Sequence, residues 1–467
     1  MSRFRYLELV TILQASIDKG KWLAGEKIPS IRTLSQSYDC SKNTVIRALQ
    51  SLEASGAISA REKVGYFVNQ TRITETITQP VNRHAISEPK EVTVPKLFMA
   101  IMNQGAAFDI YPSAISAPAN NHLIELNRHI SSAMRINAND NASYYDSPLG
   151  HQPLRSELAK HYRQLDLSVT SESICITSGC QHSLFLALMA TCEPGDIVAV
   201  ESPAFYGALQ LLEQLKLNIV EIPSDLKEGV SVEAVEEILE RWTVKAILVT
   251  PAFATPTGAC IPDRAKPKLI GLAEKYDITI IEDDIYGDLG FDNRPRPLKS
   301  FESTERVILC SSFSKSISRD LRVGWIITSK LIDKIISLKM ISQLACNRST
   351  QQGLTNFIAQ GGYRRHLNQY RTRLRKQCAQ LVEVLSSRWP AKVSFNIPNG
   401  GLALWVELPA QIDTRELYQA AQQHHILIMP GMLFSASNQF NHFLRLSFAH
   451  PIESQRLEAI TKLPTLF

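Results

Sequence analysis

Apolar positions at the start of the chain recur at helical spacing: Leu7, Val10, Ile12, Leu13 and Ile17 predict one helical face that ends near Gly20. A turn is expected around Gly25 and Pro29. Ser30 then stands where a second helix needs a cap, ahead of Ile31, Leu34 and Tyr38. Ser41 stands likewise before a third, carrying Val45, Leu49 and Leu52 and stopping at Gly56. A hydroxyl suits these positions because it accepts from the unpaired N–H groups of the first turn. Residues 58–60 and 66–68 alternate like two short strands about a turn at Lys63 and Gly65. Three helices and a hairpin predict a winged helix-turn-helix over residues 1–70, although another small helical domain fits the same pattern.

Residues 71–95 lose all periodicity, and Thr, Gln, Asn, Glu and Pro dominate, so they are expected to be a linker. Beyond them, apolar runs at 197–200, 246–249, 279–281 and 307–309 alternate with helical stretches. Such runs suit strands buried on both faces of a parallel sheet, which predicts a large α/β domain over 96–467. A helix rich in Arg and Gln after Leu367 leads into a smaller α/β portion, with strands expected at 402–406 and 444–448.

Composition narrows this picture in three ways. The 467 residues are 44% hydrophobic and 20% charged, with room for a large core. A net charge of +5 is mild at this length, so any contact with nucleic acid depends on where the basic residues sit. Eight cysteines without a C-x-x-C pair argue for buried thiols in a reducing compartment, and against a disulfide frame or a metal site. No leader-like run opens the chain and no stretch approaches the ~20 apolar residues of a membrane span. The protein is expected in the cytoplasm, without a membrane partner.

Chemistry concentrates in the second domain. In SFSKSISRDLR, 312–322, Lys315 follows a strand and is flanked by hydroxyls and an arginine. A lysine that condenses with an aldehyde needs its amine deprotonated at neutral pH and an anchor nearby for the rest of the ligand. Alone, the motif is a weak signal and reads better as an exposed loop lysine. Upstream, IEDDIY, 281–286, ends a strand with Asp283 at its tip and Tyr286 beyond; a buried carboxylate there can keep a pyridine nitrogen protonated. TSGCQ, 177–181, precedes a helical run whose N-terminus offers free N–H groups to a phosphate. ESPAFYG, 201–207, supplies Phe205 as a ring that can stack. Singly, Asp283 reads as a cap, Gly179 as a turn and Phe205 as core.

Together, across about 97–467, these segments resemble the fold-type I aminotransferases, in the same order. The resemblance implies pyridoxal 5'-phosphate as cofactor, joined to Lys315 as an internal aldimine, with Asp283 on the ring nitrogen and Tyr286 on the ring oxygen. It implies Gly179, Cys180, Gln181, Ser312 and Arg322 around the phosphate, and Phe205 against the ring. Tyr145, in YDSPLGHQPLR, matches a tyrosine that reaches the phosphate of a neighbouring subunit. Arg445, in FLRLSF, matches the arginine that holds a substrate carboxylate. Thr255, in PAFATPTG, departs from the pattern, since the family usually has Asn there; a weakened electron sink with cofactor binding retained is the expectation.

The first domain, through PSIRTLS (29–35), CSKNTVIRAL (40–49) and GYFV (65–68), resembles the GntR-type winged helix. That resemblance implies Arg32, Ser41, Lys42, Asn43, Thr44 and Arg47 facing DNA, with Lys63 and Gly65 in the wing. Ile46 stands where many relatives are basic. Such a head before such a body resembles the MocR subfamily of bacterial regulators, with GGYRRHL (361–367) and LRLSFAHP (444–451) nearest its YdcR-like branch. The implied protein is a homodimer that binds operator DNA and senses an amine or amino acid through an aldimine at Lys315. A working aminotransferase with an incidental head is the alternative, and whether the chain is an enzyme stays open.

Overall fold

Leu9, Leu13 and Ile17, each four residues on from the last, form the buried side of the first helix, α1 (Ser2–Asp18). Leu7 and Ile12, expected on that face, are instead 51% and 46% exposed. Both stripes are apolar in the sequence, and the one that meets α3 (Lys42–Ala54) is the one that is buried. The computed structural model describes residues 2–18, 21–22, 26–54, 57–61, 64–68, 86–93, 96–103, 120–139, 145–437, 439–452 and 454–467. Lys63 lies outside the described residues, as do Gly20, Gly25 and Gly56. The chain divides into two compact units, Met1–Thr78 with Thr372–Ala391, and Gln79–Arg371 with Lys392–Phe467.

In the first unit, α2 (Ile31–Ser37) begins where Ser30 Oγ accepts from Thr33 N at 3.2 Å. α3 begins where Ser41 Oγ accepts from Thr44 N at 3.1 Å. Each such cap is worth about 1 kcal/mol. The tight turn between them is closed by Ser35 Oγ donating to Cys40 O at 2.6 Å. Val45, Ala48, Leu49 and Leu52 on α3 are buried with Leu13, Ile28 and Leu34, and burying each large aliphatic contributes roughly 1.5–3 kcal/mol. β1 (Ile58–Arg61) and β2 (Gly65–Val68) pair antiparallel. A third segment joins the hairpin, with Ile28 N donating to Tyr66 O and Val68 N to Glu26 O, both at 2.9 Å.

The second unit opens with a short edge strand, β3 (Lys90–Glu91), then α4 (Lys96–Asn103), α5 (Asn121–Asn139) and α6 (Gln152–Arg163). β3 and the buried Val92 lie within the stretch expected to be linker. The main sheet adds β4 (Ile174–Thr177), β5 (Ile197–Ser202), β6 (Asn218–Asp225), β7 (Gly229–Val230), β8 (Val244–Val249), β9 (Thr279–Asp283), β10 (Val307–Ser312) and β11 (Gly324–Ile327). Its order is β3-β6-β5-β8-β9-β10-β11-β4, with β7 pairing β6. β6, β5, β8, β9 and β10 run parallel. The sheet is nevertheless mixed, because β11 lies antiparallel between β10 and β4.

The helices on the sheet are α7 (Cys180–Thr191), α8 (Tyr206–Gln214), α9 (Val232–Arg241) and α10 (Lys266–Lys275). Successive strand residues face opposite ways. Val198 and Val200 therefore pack in one cluster with α7 and α8, whereas Ala199 packs in another with α9 and α10. α11 (Ile332–Ser342), α12 (Arg348–Ala359) and α13 (Gly362–Arg388) follow, α13 belonging to this unit as far as Arg371. A four-stranded antiparallel sheet then forms from β12 (Ser394–Phe395), β13 (Ala403–Glu407), β14 (Met429–Pro430) and β15 (Phe443–Ser447), in the order β12-β13-β15-β14. α14 (Thr414–Gln423) and α15 (Ser454–Lys462) complete the unit. The carboxyl ends of β4, β5, β8, β9 and β10 share one edge of the main sheet, where α/β proteins place their ligands.

Candidate functional site

A cavity of about 350 Å³ lies at that edge, and its wall includes Cys180, Gln181, Phe205, Asp283, Tyr286, Ser312, Lys315 and Arg322. Eight residues singled out in the sequence thus meet around one space. Lys315 sits in the turn after β10 and is half-buried. Burial, then the guanidinium groups of Arg319 and Arg445, hold its amine well below the usual lysine range, against the opposing pull of Asp283. That direction favours the neutral, nucleophilic form of the amine more than in an exposed lysine.

Asp283 ends β9 and is buried. Its Oδ1 accepts from the Cys180 thiol at 3.2 Å and from Ile285 N at 3.1 Å. Burial raises its carboxyl to about 6, the two hydrogen bonds pulling the other way. Near neutral pH it is an anion in a nearly apolar setting, which favours a protonated base as its partner. Tyr286, also buried, has its phenol raised by burial, and the Thr255 hydroxyl hydrogen-bonds it.

Gly179 caps α7 at φ +100°. A Cβ there would lie 2.5 Å from Arg322 Nη2, so residue 179 must lack a side chain for the arginine to reach this helix N-terminus. Arg322 is fixed by Nη2 donating to Ser178 O at 2.6 Å and Nη1 donating to Ser314 Oγ at 3.2 Å. Ser312 Oγ accepts from Ser314 N at 3.3 Å, and Gln181 Nε2 donates to Gly207 O at 2.7 Å. Free N–H groups, hydroxyls and a guanidinium converge here as a phosphate requires.

Thr255 and Arg445 line a smaller adjoining space of about 10 Å³, and Tyr286 borders both. Arg445 is buried, its guanidinium 5.9 Å from the Tyr206 ring centroid and 5.5 Å from that of Phe434. Tyr145 is not among the cavity residues and is 79% exposed.

The cavity also has residues that sequence reasoning missed. Arg319 and Ser314 share the Lys315 turn, where four-residue proximity to the lysine was the available signal. Tyr206 adjoins Phe205, with ring centroids 4.8 Å apart. Phe98 comes from α4, remote in sequence and without any motif, and lies 5.0 Å from Tyr206. Behind the cavity, Tyr363 donates to Asp288 Oδ2 at 2.6 Å and lies 3.0 Å from Ser316 Oγ. Arg294 joins Asp288 to Asp284 at 2.8 and 2.5 Å, and Tyr162 donates to Asp284 at 3.0 Å. This buried network braces the residues next to both Lys315 and Asp283.

In the other unit, Arg32, Ser41, Lys42, Asn43 and Arg47 are exposed and Thr44 is half-buried, while the far side of α3 is core. Gly65, at φ +128°, approaches Lys27: a Cβ would lie 3.0 Å from Lys27 Cε.

Residues 115–463 match the aminotransferase class I and II family, and residues 5–68 match the gntR family of bacterial regulatory proteins. The chain is 36% identical to the HTH-type transcriptional regulator YjiR of Escherichia coli K12, over 98% of each chain. It is 32% identical to the HTH-type transcriptional regulator YdcR of the same organism, over 99% of this chain and 98% of that one. Among solved structures, Pyrococcus horikoshii kynurenine aminotransferase, in complex with PMP, superposes with a TM-score of 0.72 at 27% identity, over 80% of this chain and 95% of that one.

Proposed function

The chain belongs to the GntR-type regulators fused to an aminotransferase class I/II domain, the MocR subfamily, and from that premise we propose that its body binds pyridoxal 5'-phosphate at Lys315 and senses an amine or amino acid there. Operator binding by the head then depends on what the body holds. The single observation that carries this reading is the meeting of Lys315, a buried Asp283 and the Gly179–Arg322 cradle around one cavity.

The residues fit the cofactor. Arg322, Ser312, Gly179, Cys180 and Gln181 would hold the phosphate, Phe205 would stack on the ring, Asp283 would face the ring nitrogen and Tyr286 the ring oxygen. When bound, the cofactor supplies an aldehyde carbon that Lys315 occupies and an incoming amine can claim by exchange. Around that carbon the chain's own groups divide the work. Lys315, whose amine burial depresses, would serve as the nucleophile and base; Asp283 would favour a protonated ring nitrogen; Arg445 would orient a carboxylate. Thr255 engages Tyr286 in the place the family gives to Asn, which supports sensing above turnover. The PMP complex of the Pyrococcus enzyme supports the cofactor assignment.

In the head, the exposed N-terminal turn of α3 would enter the major groove, with Asn43 toward base edges and Arg32, Lys42 and Arg47 toward phosphates. Residues 1–70 would serve as DNA-binding head and 96–467 as effector body, with 71–95 between them as linker up to the edge strand β3 at Lys90–Glu91. The working form is a cytoplasmic homodimer, in which Tyr145 reaches the neighbouring phosphate site.

Ligand and DNA affinities must be coupled in both directions if this is a sensor. Operator binding measured by fluorescence anisotropy, with cofactor present and an amine panel added, should change with one class of amine. The change should vanish in Lys315→Ala. Binding that ignores every amine, alongside steady transaminase turnover, would favour an enzyme with an incidental head.

A further inference from the structure

The turn from β4 into α7 is where the cradle is fastened. Arg322 Nη2 donates to Ser178 O at 2.6 Å. The N–H of the same residue donates to His182 Nδ1 at 3.3 Å. His182 is the third residue of α7, and its side chain reaches back over the helix start as an acceptor, much as a capping residue does. Ser178 is thus held at its carbonyl by Arg322 and at its amide by His182. The imidazole lines neither the main cavity nor the space beside it, so it reaches the site only through this residue.

The ring is itself fixed from the other side. Its Nε2 lies 2.9 Å from Ser342 Oγ, at the end of α11, and that hydroxyl donates to Lys339 O at 3.2 Å. These partners select one form of the ring. A backbone N–H can only donate, so Nδ1 must carry a lone pair. The hydrogen of the neutral ring then sits on Nε2 and goes to Ser342, whose own hydrogen goes on to Lys339 O. A second proton, on Nδ1, would set two donors against each other and release Ser178 N. The charged neighbours are the buried Lys339 on α11 and, beyond Ser178, Arg322; both are cations and oppose that proton. Burial, then Lys339, lowers the imidazole from its ordinary 6.5.

We infer that His182, neutral and with its hydrogen on Nε2, is a positioning residue for the phosphate cradle: it steadies the Ser178 backbone on which Arg322 rests, and lets go of it when protonated. This rests on the proposal that the cradle holds the cofactor phosphate, and gives that site a grip that depends on pH. The support is complete above 6.5 and is lost as pH falls through the lowered value.

The test uses the full chain and two variants. His182→Asn places an amide oxygen near where Nδ1 stands and does not titrate, whereas His182→Leu offers no acceptor. Each protein is titrated with pyridoxal 5'-phosphate and, separately, with pyridoxal, which lacks the phosphate. The absorbance change that Lys315→Ala abolishes is followed. At about pH 7.5 the parent and His182→Asn should half-saturate with the phosphorylated aldehyde at similar concentrations, and His182→Leu at about tenfold higher. All three should take up pyridoxal alike. At about pH 5.5 the parent should lose its advantage over His182→Leu while His182→Asn keeps it. Equal affinity of parent and His182→Leu for the phosphorylated aldehyde would overturn the inference. An equal loss for pyridoxal would do the same, by making His182 a residue of the fold alone. So would a His182→Asn as weak as His182→Leu, or a ratio of parent to His182→Leu that ignores pH. A parent that takes up pyridoxal and gains nothing from the phosphate would sink the cradle and the inference together, leaving Lys315 as the aldehyde's site. A parent that takes up neither would remove the cofactor reading itself.

Discussion

Arg322 Nη2 lies 2.5 Å from the point where a Cβ on residue 179 would stand. Gly179, at φ +100°, is therefore required twice over, by backbone conformation and by the arginine that crosses it. Gly179→Ala should displace Arg322 from Ser178 and Ser314 and open the cradle. Cofactor affinity, read by absorbance titration, is expected to fall at least tenfold, about the value of one charge-assisted contact. An unchanged affinity would remove Arg322 from the phosphate site.

Asp283 gives the site a pH signature. Its carboxyl is raised from 3.8 to about 6, chiefly by burial. In the cofactor-free protein its contribution to stability is fully present below 3.8 and is lost as pH rises through about 6. The loss is on the order of 3 kcal/mol, two pKa units' worth. Asp283→Asn cannot ionise, so its stability relative to the parent should climb between pH 4 and pH 7. Urea denaturation at a series of pH values measures this. A flat difference curve would mean the carboxylate is not buried in the free protein.

Tyr363 connects α13 to the residue after Lys315, through Ser316, and to Asp288. Tyr363→Phe leaves the shape of the core and removes one hydroxyl from two buried partners. The expected cost is about 2 kcal/mol in unfolding free energy, together with weaker cofactor uptake. A loss of stability with cofactor affinity untouched would confine the network to the fold.

On the head, Lys42 is exposed at the first turn of α3. Lys42→Ala should weaken binding to operator and random DNA alike. The slope of log affinity against log salt should become shallower by about one unit per lysine in contact with phosphate. An unchanged slope would place Lys42 away from the backbone.

Much of this was legible from residues alone, for stated reasons. Ser30 and Ser41 cap the helices they were expected to cap, because a hydroxyl before an apolar period has few other uses there. Apolar runs located β5, β8, β9 and β10, and with them the strand ends bearing Asp283 and Ser312. The direction of β11 was not legible, since a strand buried on both faces reads the same either way. The face of α1 was misjudged because two apolar stripes compete and only packing against α3 chooses. Phe98 escaped notice for another reason: a cavity wall collects residues by tertiary position, and it carries no pattern of its own.

The most direct test is a visible absorbance spectrum of the purified full chain with pyridoxal 5'-phosphate, before and after adding amino acids and amines. The account predicts a band from lysine-bound cofactor that shifts with one class of amine and is absent in Lys315→Ala. A chain that stays colourless with the cofactor present would contradict it, and would leave the head as the functional part of the molecule.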